Sequence, residues 1–141
     1  MPTATVSIRQ TPDKVFSYLV DPEKLQRWAP FKSLKVLTPG ALGIGSRFMQ
    51  SIDIIGKTIE SEVEVTDYNE PTSLALKSIA GPVNFVQRFR LTPMPEGTQL
   101  EAFMEGEPTG VLKVAQPLLI PAVEKLLKDQ VHKLKQAAEQ E

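Results

Sequence analysis

The sequence predicts an α+β fold in which a long C-terminal helix packs on a seven-stranded antiparallel sheet, with two short helices after the first strand. Over roughly the first two-thirds of the chain, apolar and polar residues alternate with a period of two, as in strands that bury one face. In the last third, apolar residues recur at steps of three and four, the spacing of an amphipathic helix. A run of strands followed by a helix is typical of the α+β class.

The first strand is predicted from Thr3 to Arg9, because apolar residues occupy every second position there. Two short helices should follow, since Thr11-Pro12 and Asp21-Pro22 each combine a capping side chain with a proline suited to the first turn. Pro30 should end the second helix.

Six further strands are predicted by alternation and by the turn residues that separate them, at 33–37, 47–55, 57–67, 74–79, 83–92 and 98–107. Gly56 should form a tight hairpin turn. The glycine-rich stretch 39–45 is predicted to be a loop at the entrance of the fold. Glu60, Glu62 and Glu64 should face water, because burying three like charges would cost too much free energy.

The C-terminal helix should run from about 121 to 138. Pro117 and Pro121 predict a break near 118–121, so residues 109–120 should form a separate, looser segment. His132 lies opposite the apolar stripe and should be a surface residue without a catalytic role.

Composition excludes several classes of function. The net charge is −1, so no basic surface for nucleic acid is expected. The absence of cysteine and the single histidine argue against disulfides, thiolate chemistry and His-rich metal sites, and we expect neither a metal nor a cofactor. The chain shows no signal peptide and no integral membrane segment, which predicts a soluble cytoplasmic protein.

Several stretches together resemble the START-like, helix-grip superfamily (SRPBCC), which includes the polyketide cyclase/dehydrase family and pollen-allergen proteins. The matching stretches are, in chain order, 11–16, 21–28, 45–48, 62–66 with Glu70-Pro71, 97–98, and the end of the chain from Leu134. The resemblance implies a seven-stranded sheet gripping the C-terminal helix around an apolar cavity. It also implies a small hydrophobic ligand, with residues 1–141 forming one START-like ligand-binding domain.

The inward face of that sheet, read from the alternation, is apolar apart from four polar side chains: Gln50, Ser61, Ser78 and Gln87. These four are candidates for hydrogen bonds to a ligand, although they could instead satisfy one another or bind buried water. The complete set of predicted ligand-contacting residues is Trp28, Phe48, Gln50, Ile52, Ser61, Leu76, Ser78, Phe85, Gln87, Ala102, Met104, Leu119, Val123 and Leu126.

The facing of residues 47–55 is left open by the pattern. In the opposite register Asp53 would point inward, where burial would raise its pKa and make it a candidate general base. A solvated strand carboxylate is the favoured reading of Asp53. Trp28 could line the cavity mouth or could simply close the two small helices.

Three functions are compatible with the sequence. The first is binding or transport of a small hydrophobic or amphipathic molecule, such as a lipid, a sterol-like or a polyketide-like compound. The second is a polyketide cyclase or dehydratase, which requires an acid or base such as Asp53, Arg47 or Tyr68 inside the cavity. The third is a protein-interaction module, for which residues 112–120 offer the apolar candidates Leu112, Val114, Leu118 and Ile120.

Overall fold

The fold was obtained as a computed structural model that describes residues 2–29, 31–54, 56–108 and 116–141, with the backbone alone at 107, 108 and 116–119. Its elements are, in chain order, β1 (Thr3–Ile8), α1 (Pro12–Val20), α2 (Pro22–Leu25), β2 (Phe31–Val36), β3 (Arg47–Ile54), β4 (Lys57–Asn69), β5 (Ser73–Ala80), β6 (Val83–Met94), β7 (Gly97–Pro108) and α3 (Gln116–Glu139). The predicted α+β class and the order of elements are confirmed.

All seven strands join one antiparallel sheet in the order β1-β7-β6-β5-β4-β3-β2. The sheet curls into a half-barrel, and α3 lies along it with its closest packing against β1 and β7. Hairpins connect the consecutive strands β3 to β7, and the two short helices bridge the opposite edges, β1 and β2. This arrangement leaves a space between the helix and the inner face of the sheet.

The register of β3 against β4 decides which side chains enter that space. Phe48 pairs with Val63 and Gln50 with Ser61, and all four side chains are buried. Asp53 is exposed and accepts a hydrogen bond from Thr58 on the outer face. The inward face of β3 therefore carries Phe48, Gln50, Ile52 and Ile54, and the opposite register is wrong.

The short helices begin as the sequence predicts. The Thr11 hydroxyl accepts a hydrogen bond from the Lys14 amide, and the Asp21 carboxylate accepts one from the Glu23 amide. Helix α2 ends at Leu25, earlier than expected, and a turn carries the chain on to Trp28. The Trp28 indole donates a hydrogen bond to the Tyr18 carbonyl oxygen at 2.9 Å, which fixes α2 against α1.

Helix α3 begins at Gln116 and continues through Pro121, so the predicted separate segment at 116–120 is wrong. Pro117 lies in the first turn, where amide groups have no intrahelical partner and a proline removes nothing. Pro121 removes one amide donor, and the helix tolerates that loss near its N-terminus. The part of the prediction that covers residues 109–115 lies outside the described residues.

Most of the apolar core forms one contiguous cluster of buried side chains, which we call the closed core. Its centre consists of side chains with no exposed surface: Val15, Phe16, Tyr18, Val63, Val65, Leu100, Ala102, Leu127, Leu134 and Ala138. The C-terminal half of α3 therefore packs tightly. A separate small cluster forms around Ile54 and Ile59, with half-buried Val123 and Leu126 against it.

Gly97 explains one of the stretches that resemble the superfamily. It stands at the β6–β7 turn with φ of 151°, and a Cβ there would collide with the Ile8 carbonyl oxygen. The neighbouring Thr98 hydroxyl donates to the Gln10 carbonyl oxygen at 2.7 Å. The pair Gly97-Thr98 thus joins this turn to the end of β1, which is a structural role.

Candidate functional site

A cavity lies between the N-terminal half of α3 and parts of β3, β4, β6 and β7; we call it the main cavity. Its volume is about 120 Å³, and its lining residues are Pro2, Phe31, Gln50, Ile52, Ile54, Ile59, Ser61, Val83, Phe85, Gln87, Met104, Gly106, Ile120, Val123, Leu126 and Gln130. The strands contribute alternate residues, and α3 contributes positions spaced along one stripe. Several of these side chains are only half-buried, including Val123 and Leu126, so the cavity is in contact with solvent.

A second, smaller cavity of about 50 Å³ adjoins the first, and we call it the small cavity. It lies under α1, α2 and the glycine-rich loop, where Leu19, Trp28 and Leu42 line it. Phe31, Gln87 and Gln130 line both cavities and so form the wall between them. The predicted entrance loop therefore borders the small cavity through Leu42.

Four polar side chains interrupt the apolar lining of the main cavity. Gln50, Ser61, Gln87 and Gln130 are each at least nine-tenths buried. The Gln87 amide donates a hydrogen bond to the Gln130 side-chain oxygen at 3.3 Å, whereas Gln50 and Ser61 make no side-chain hydrogen bond to any described residue. No enclosed side-chain nitrogen or oxygen within the described part of the chain lacks a partner. The polar atoms of Gln50 and Ser61 must therefore reach open space in the cavity.

The structure brings eleven of the fourteen predicted contact residues to the two cavities. Eight line the main cavity: Gln50, Ile52, Ser61, Phe85, Gln87, Met104, Val123 and Leu126. Trp28, Phe48 and Leu76 line the small cavity, which Gln87 also reaches. The side chain of Leu119 lies outside the described residues. That any of these residues contacts a ligand remains a prediction.

Ser78 and Ala102, also predicted as ligand contacts, are absent from the linings of the main and the small cavity. The Ser78 hydroxyl donates to the Val83 carbonyl oxygen at 3.1 Å and accepts from the Phe85 amide at 2.9 Å, so the β5–β6 hairpin already uses it. Ala102 is fully buried in the closed core, where it pairs with Ala4 on β1 and Phe89 on β6. Both residues face inward, and other parts of the fold already occupy their side chains.

The residues considered as a catalytic acid or base, Asp53, Arg47 and Tyr68, do not line either of the two cavities. Arg47 pairs with Glu62 on the outer face, and Asp53 is exposed. Tyr68 packs edge-on against Phe16 with 5.4 Å between ring centroids, and burial raises its pKa, with the charge of Glu70 adding to the effect. His132 is exposed on the outer face of α3, as predicted. Within the described ranges, no ionisable side chain lines either cavity.

The three glutamates of β4 lie on its outer face, as the sequence predicts. Glu60 is exposed, and Glu62 and Glu64 are half-buried on the face of β4 opposite to Ile59, Ser61, Val63 and Val65. No group of three or more metal-binding side chains occurs among the residues that the structure describes.

Gln130 is the main site residue that the sequence prediction missed. Its spacing from Leu126 and Leu134 puts it on the apolar stripe of α3, yet the predicted ligand contacts do not include it. A glutamine inside an otherwise apolar stripe is a detectable signal, because a polar group on the buried face of a helix needs a partner or a ligand. Its partner, Gln87, comes from β6, 43 residues away in sequence.

With the fold and the cavities defined, the chain can be compared with known proteins. The sequence profile of the family described as "Polyketide cyclase / dehydrase and lipid transport" matches residues 2–139. The chain belongs to this family. No curated protein matches the sequence.

Several solved structures have a fold similar to that of this chain. Protein TTHA0849 from Thermus thermophilus superposes with a TM-score of 0.84 at 18% identity, over 97% of this chain and 95% of that one. A conserved protein from Geobacillus kaustophilus gives a TM-score of 0.77 at 24% identity, over 98% and 94%. CV1439 from Chromobacterium violaceum gives 0.74 at 17% identity, over 97% and 96%. At these identities, the likeness shows the fold.

The described helices include none that is long and apolar enough to cross a membrane.

Proposed function

We propose that this member of the polyketide cyclase, dehydrase and lipid transport family binds or transports a small hydrophobic or amphipathic molecule in the main cavity. Lipid, sterol-like and polyketide-like compounds are the ligand classes considered. The observation that supports this most strongly is the lining itself: apolar side chains from the sheet and α3 surround a few neutral polar groups. Ligand pockets in proteins commonly have this composition. The cytoplasmic location predicted from the sequence remains part of the proposal.

The energetics of the cavity are compatible with a carrier that can exist with or without its ligand. At about 24 cal/mol per Å³, a dry cavity of 120 Å³ would cost about 3 kcal/mol. A domain with a typical stability of about 5–15 kcal/mol can bear that cost. A ligand that fills the cavity would recover part of it and stabilise the fold.

The alternative, a cyclase or dehydratase, has less support. Such chemistry needs an acid or base within hydrogen-bonding reach of the substrate. The described lining of both cavities offers only amides, a hydroxyl and apolar groups. Carriage therefore fits the lining better than catalysis, although the family name includes both activities.

The third function, a protein-interaction module, was predicted mostly from residues that the structure does not describe. Leu112 and Val114 lie outside the described residues, and so does the side chain of Leu118. Ile120 is 49% exposed and lines the rim of the main cavity. This position fits the mouth of a binding cavity.

The proposal can be tested with N-phenyl-1-naphthylamine, a neutral fluorophore that brightens in apolar sites. We expect saturable binding of about one molecule per chain. Val123→Trp should abolish this binding, because the indole would occupy the main cavity that Val123 lines. Lys125→Trp, on the exposed face of the same helix, is the matched control and should bind like the wild type.

Mass spectrometry of small molecules extracted from the purified protein adds an independent test. A hydrophobic compound recovered in stoichiometric amounts from the wild type, and lost in Val123→Trp, would support the proposal. Absence of fluorophore binding, or equal binding by the wild type and Val123→Trp, would contradict it.

A further inference from the structure

The wall between the two cavities consists of two buried amides and one aromatic ring. Gln87 on β6 and Gln130 on α3 each face both cavities, with Phe31 beside them. We call Gln87 and Gln130 the amide pair. Their hydrogen bond, at 3.3 Å, is longer than the usual distance of about 2.9–3.0 Å for this type of bond. The contact that separates the cavities is therefore a weak one.

The amide pair has unused hydrogen-bonding capacity. A primary amide carries two donors and one acceptor oxygen, and the bond between Gln87 and Gln130 uses one donor and one acceptor. The remaining polar atoms have no other partner among the described residues, and none of them is sealed off from open space. Gln50 and Ser61, which pair across β3 and β4, add further open polar atoms nearby in the main cavity.

The charge of the site restricts what can bind there. No Asp, Glu, Lys, Arg or His lines either cavity within the described ranges. An ionised group held at the buried amide pair would lose hydration without gaining a counter-charge, which is strongly unfavourable. A neutral polar group, in contrast, would find amide donors and acceptors.

The geometry of the bond favours a neutral group that can both accept and donate a hydrogen bond. The Gln87 donor faces the Gln130 acceptor, so a group inserted between them must accept from one and donate to the other. A hydroxyl does both, whereas a carbonyl oxygen can only accept and would leave the Gln130 oxygen without a partner.

We infer that the amide pair recognises a hydroxyl group on an otherwise apolar ligand, and that this hydroxyl inserts between Gln87 and Gln130 and joins the two cavities. This inference rests on the proposed function. It also bears on the size of the site, since the two cavities, of about 120 and 50 Å³, would become one continuous space. Opening the wall extends the space towards Trp28 and Phe48.

The test uses four ligands with related phenylalkyl skeletons: 3-phenylpropan-1-ol, butylbenzene, 4-phenylbutan-2-one and 3-phenylpropanoate. Calorimetry should show the alcohol binding at least about tenfold more tightly than the ketone and the carboxylate, since one or two net hydrogen bonds account for such a factor. In Gln130→Met, the ratio of alcohol affinity to butylbenzene affinity should fall about tenfold. Gln136→Met, the same substitution on the exposed face of α3, should leave that ratio unchanged.

A measurement on the wild type covers the case in which Gln130→Met does not fold. The side-chain amide resonances of Gln87 and Gln130 should shift on titration with the alcohol and should hardly move with butylbenzene. Trp28, the single tryptophan, lines the small cavity, so its emission should change only with the ligand that opens the wall.

The outcomes separate this inference from the proposed function. If none of the four compounds and no N-phenyl-1-naphthylamine binds, the proposed function fails and the inference fails with it. If butylbenzene binds but the alcohol has no advantage over the ketone, or Gln130→Met leaves the ratio unchanged, the proposed function stands and the inference is overturned.

Discussion

The two halves of α3 differ in how they meet the sheet. In the C-terminal half, Leu127, Leu134 and Ala138 have no exposed surface. The Tyr18 hydroxyl of α1 donates to the Ala137 carbonyl oxygen, and the Gln10 amide of the preceding turn donates to the Ala138 carbonyl oxygen. The Lys135 ammonium in this half donates to the Ser7 carbonyl oxygen of β1. The N-terminal half lies over the main cavity instead. Its described residues from 120 to 126 make no hydrogen bond or ion pair with another element.

This difference indicates a division of roles along one helix. The apolar stripe has the same spacing in both halves, but it packs into the closed core in one half and lines a solvent-contacting cavity in the other. Because the closed core already supplies a large buried surface, the other half can remain loosely packed. A binding site requires open space under the helix. The C-terminal end of α3 therefore supplies most of the stabilising packing, and the proposed binding site lies at its N-terminal end.

The strongest test of this comparison uses two adjacent leucines. Leu127→Asp should lower the free energy of unfolding by at least about 4 kcal/mol, because an unpaired charge would be buried in the closed core. Leu126→Asp should cost only about 1–2 kcal/mol, because Leu126 is half-buried at the main cavity and a carboxylate there can reach water. Chemical denaturation of both variants measures the difference. Equal losses would mean that the two positions are equally well packed.

A tryptophan should also destabilise the fold more in the closed core than at the main cavity. Ala102→Trp should lower the free energy of unfolding by at least about 3 kcal/mol, because the indole would overpack the closed core. Val123→Trp should lower it by less than about 1 kcal/mol, because the main cavity has room for the ring. Thermal and denaturant unfolding of both variants would show the order. A large loss in Val123→Trp would indicate that the cavity cannot accommodate a ring of this size.

Tyr18 provides a smaller test of the closed end. Its hydroxyl donates to Glu141 and to the Ala137 carbonyl oxygen, so Tyr18→Phe should lower the free energy of unfolding by about 1 kcal/mol. Burial raises the pKa of Tyr18, and the hydrogen bond to Glu141 adds to the shift.

The raised pKa of Tyr18 gives this test a pH dependence of defined sign. The folded state favours the neutral phenol, so its stabilising contribution is complete below the unfolded-state pKa of about 10 and is lost as the pH rises through the folded-state pKa. Tyr18→Phe should therefore lose less stability than the wild type above about pH 10. Tyr68, whose pKa is also raised, remains in both proteins. Identical alkaline profiles would show that Tyr18 does not contribute to the wild-type loss.

His132→Gln should have the smallest effect. Its side chain is exposed on the outer face of α3, so the free energy of unfolding should change by less than about 0.5 kcal/mol. Binding of N-phenyl-1-naphthylamine should be the same in both proteins between about pH 5.5 and 8, since no ionisable side chain lines the described cavity walls. A pH-dependent affinity that disappears in His132→Gln would give this histidine a role in binding.

The sequence predicted the strands well because their signal is local. Alternation in β4 fixed the inward direction of Ile59, Ser61, Val63 and Val65, and the caps at Thr11 and Asp21 fixed the helix starts. Alternation predicts which side chains face inward, but it does not predict which of them pack in the core and which line a cavity. Ala102 and Ser61 both point inward, yet one lies in the closed core and the other at a cavity, because different parts of α1 and α3 cover them.

The start of α3 and the amide pair were beyond prediction for different physical reasons. Two prolines argued for a break, but the first lies where helical amides have no partner and the second removes a single donor. The contact between Gln87 and Gln130 joins a strand to a helix across 43 residues, so only the tertiary fold brings the two amides together.

The most direct test of the central claim is a methyl NMR titration of the wild type with N-phenyl-1-naphthylamine. We expect the methyl resonances of Ile52, Ile59, Val123 and Leu126 to shift together and to saturate at about one equivalent, while those of Val15 and Leu134 in the closed core stay in place. Shifts confined to the exposed Leu37 and Ile44, or no saturable shift at all, would contradict a ligand cavity under the N-terminal half of α3.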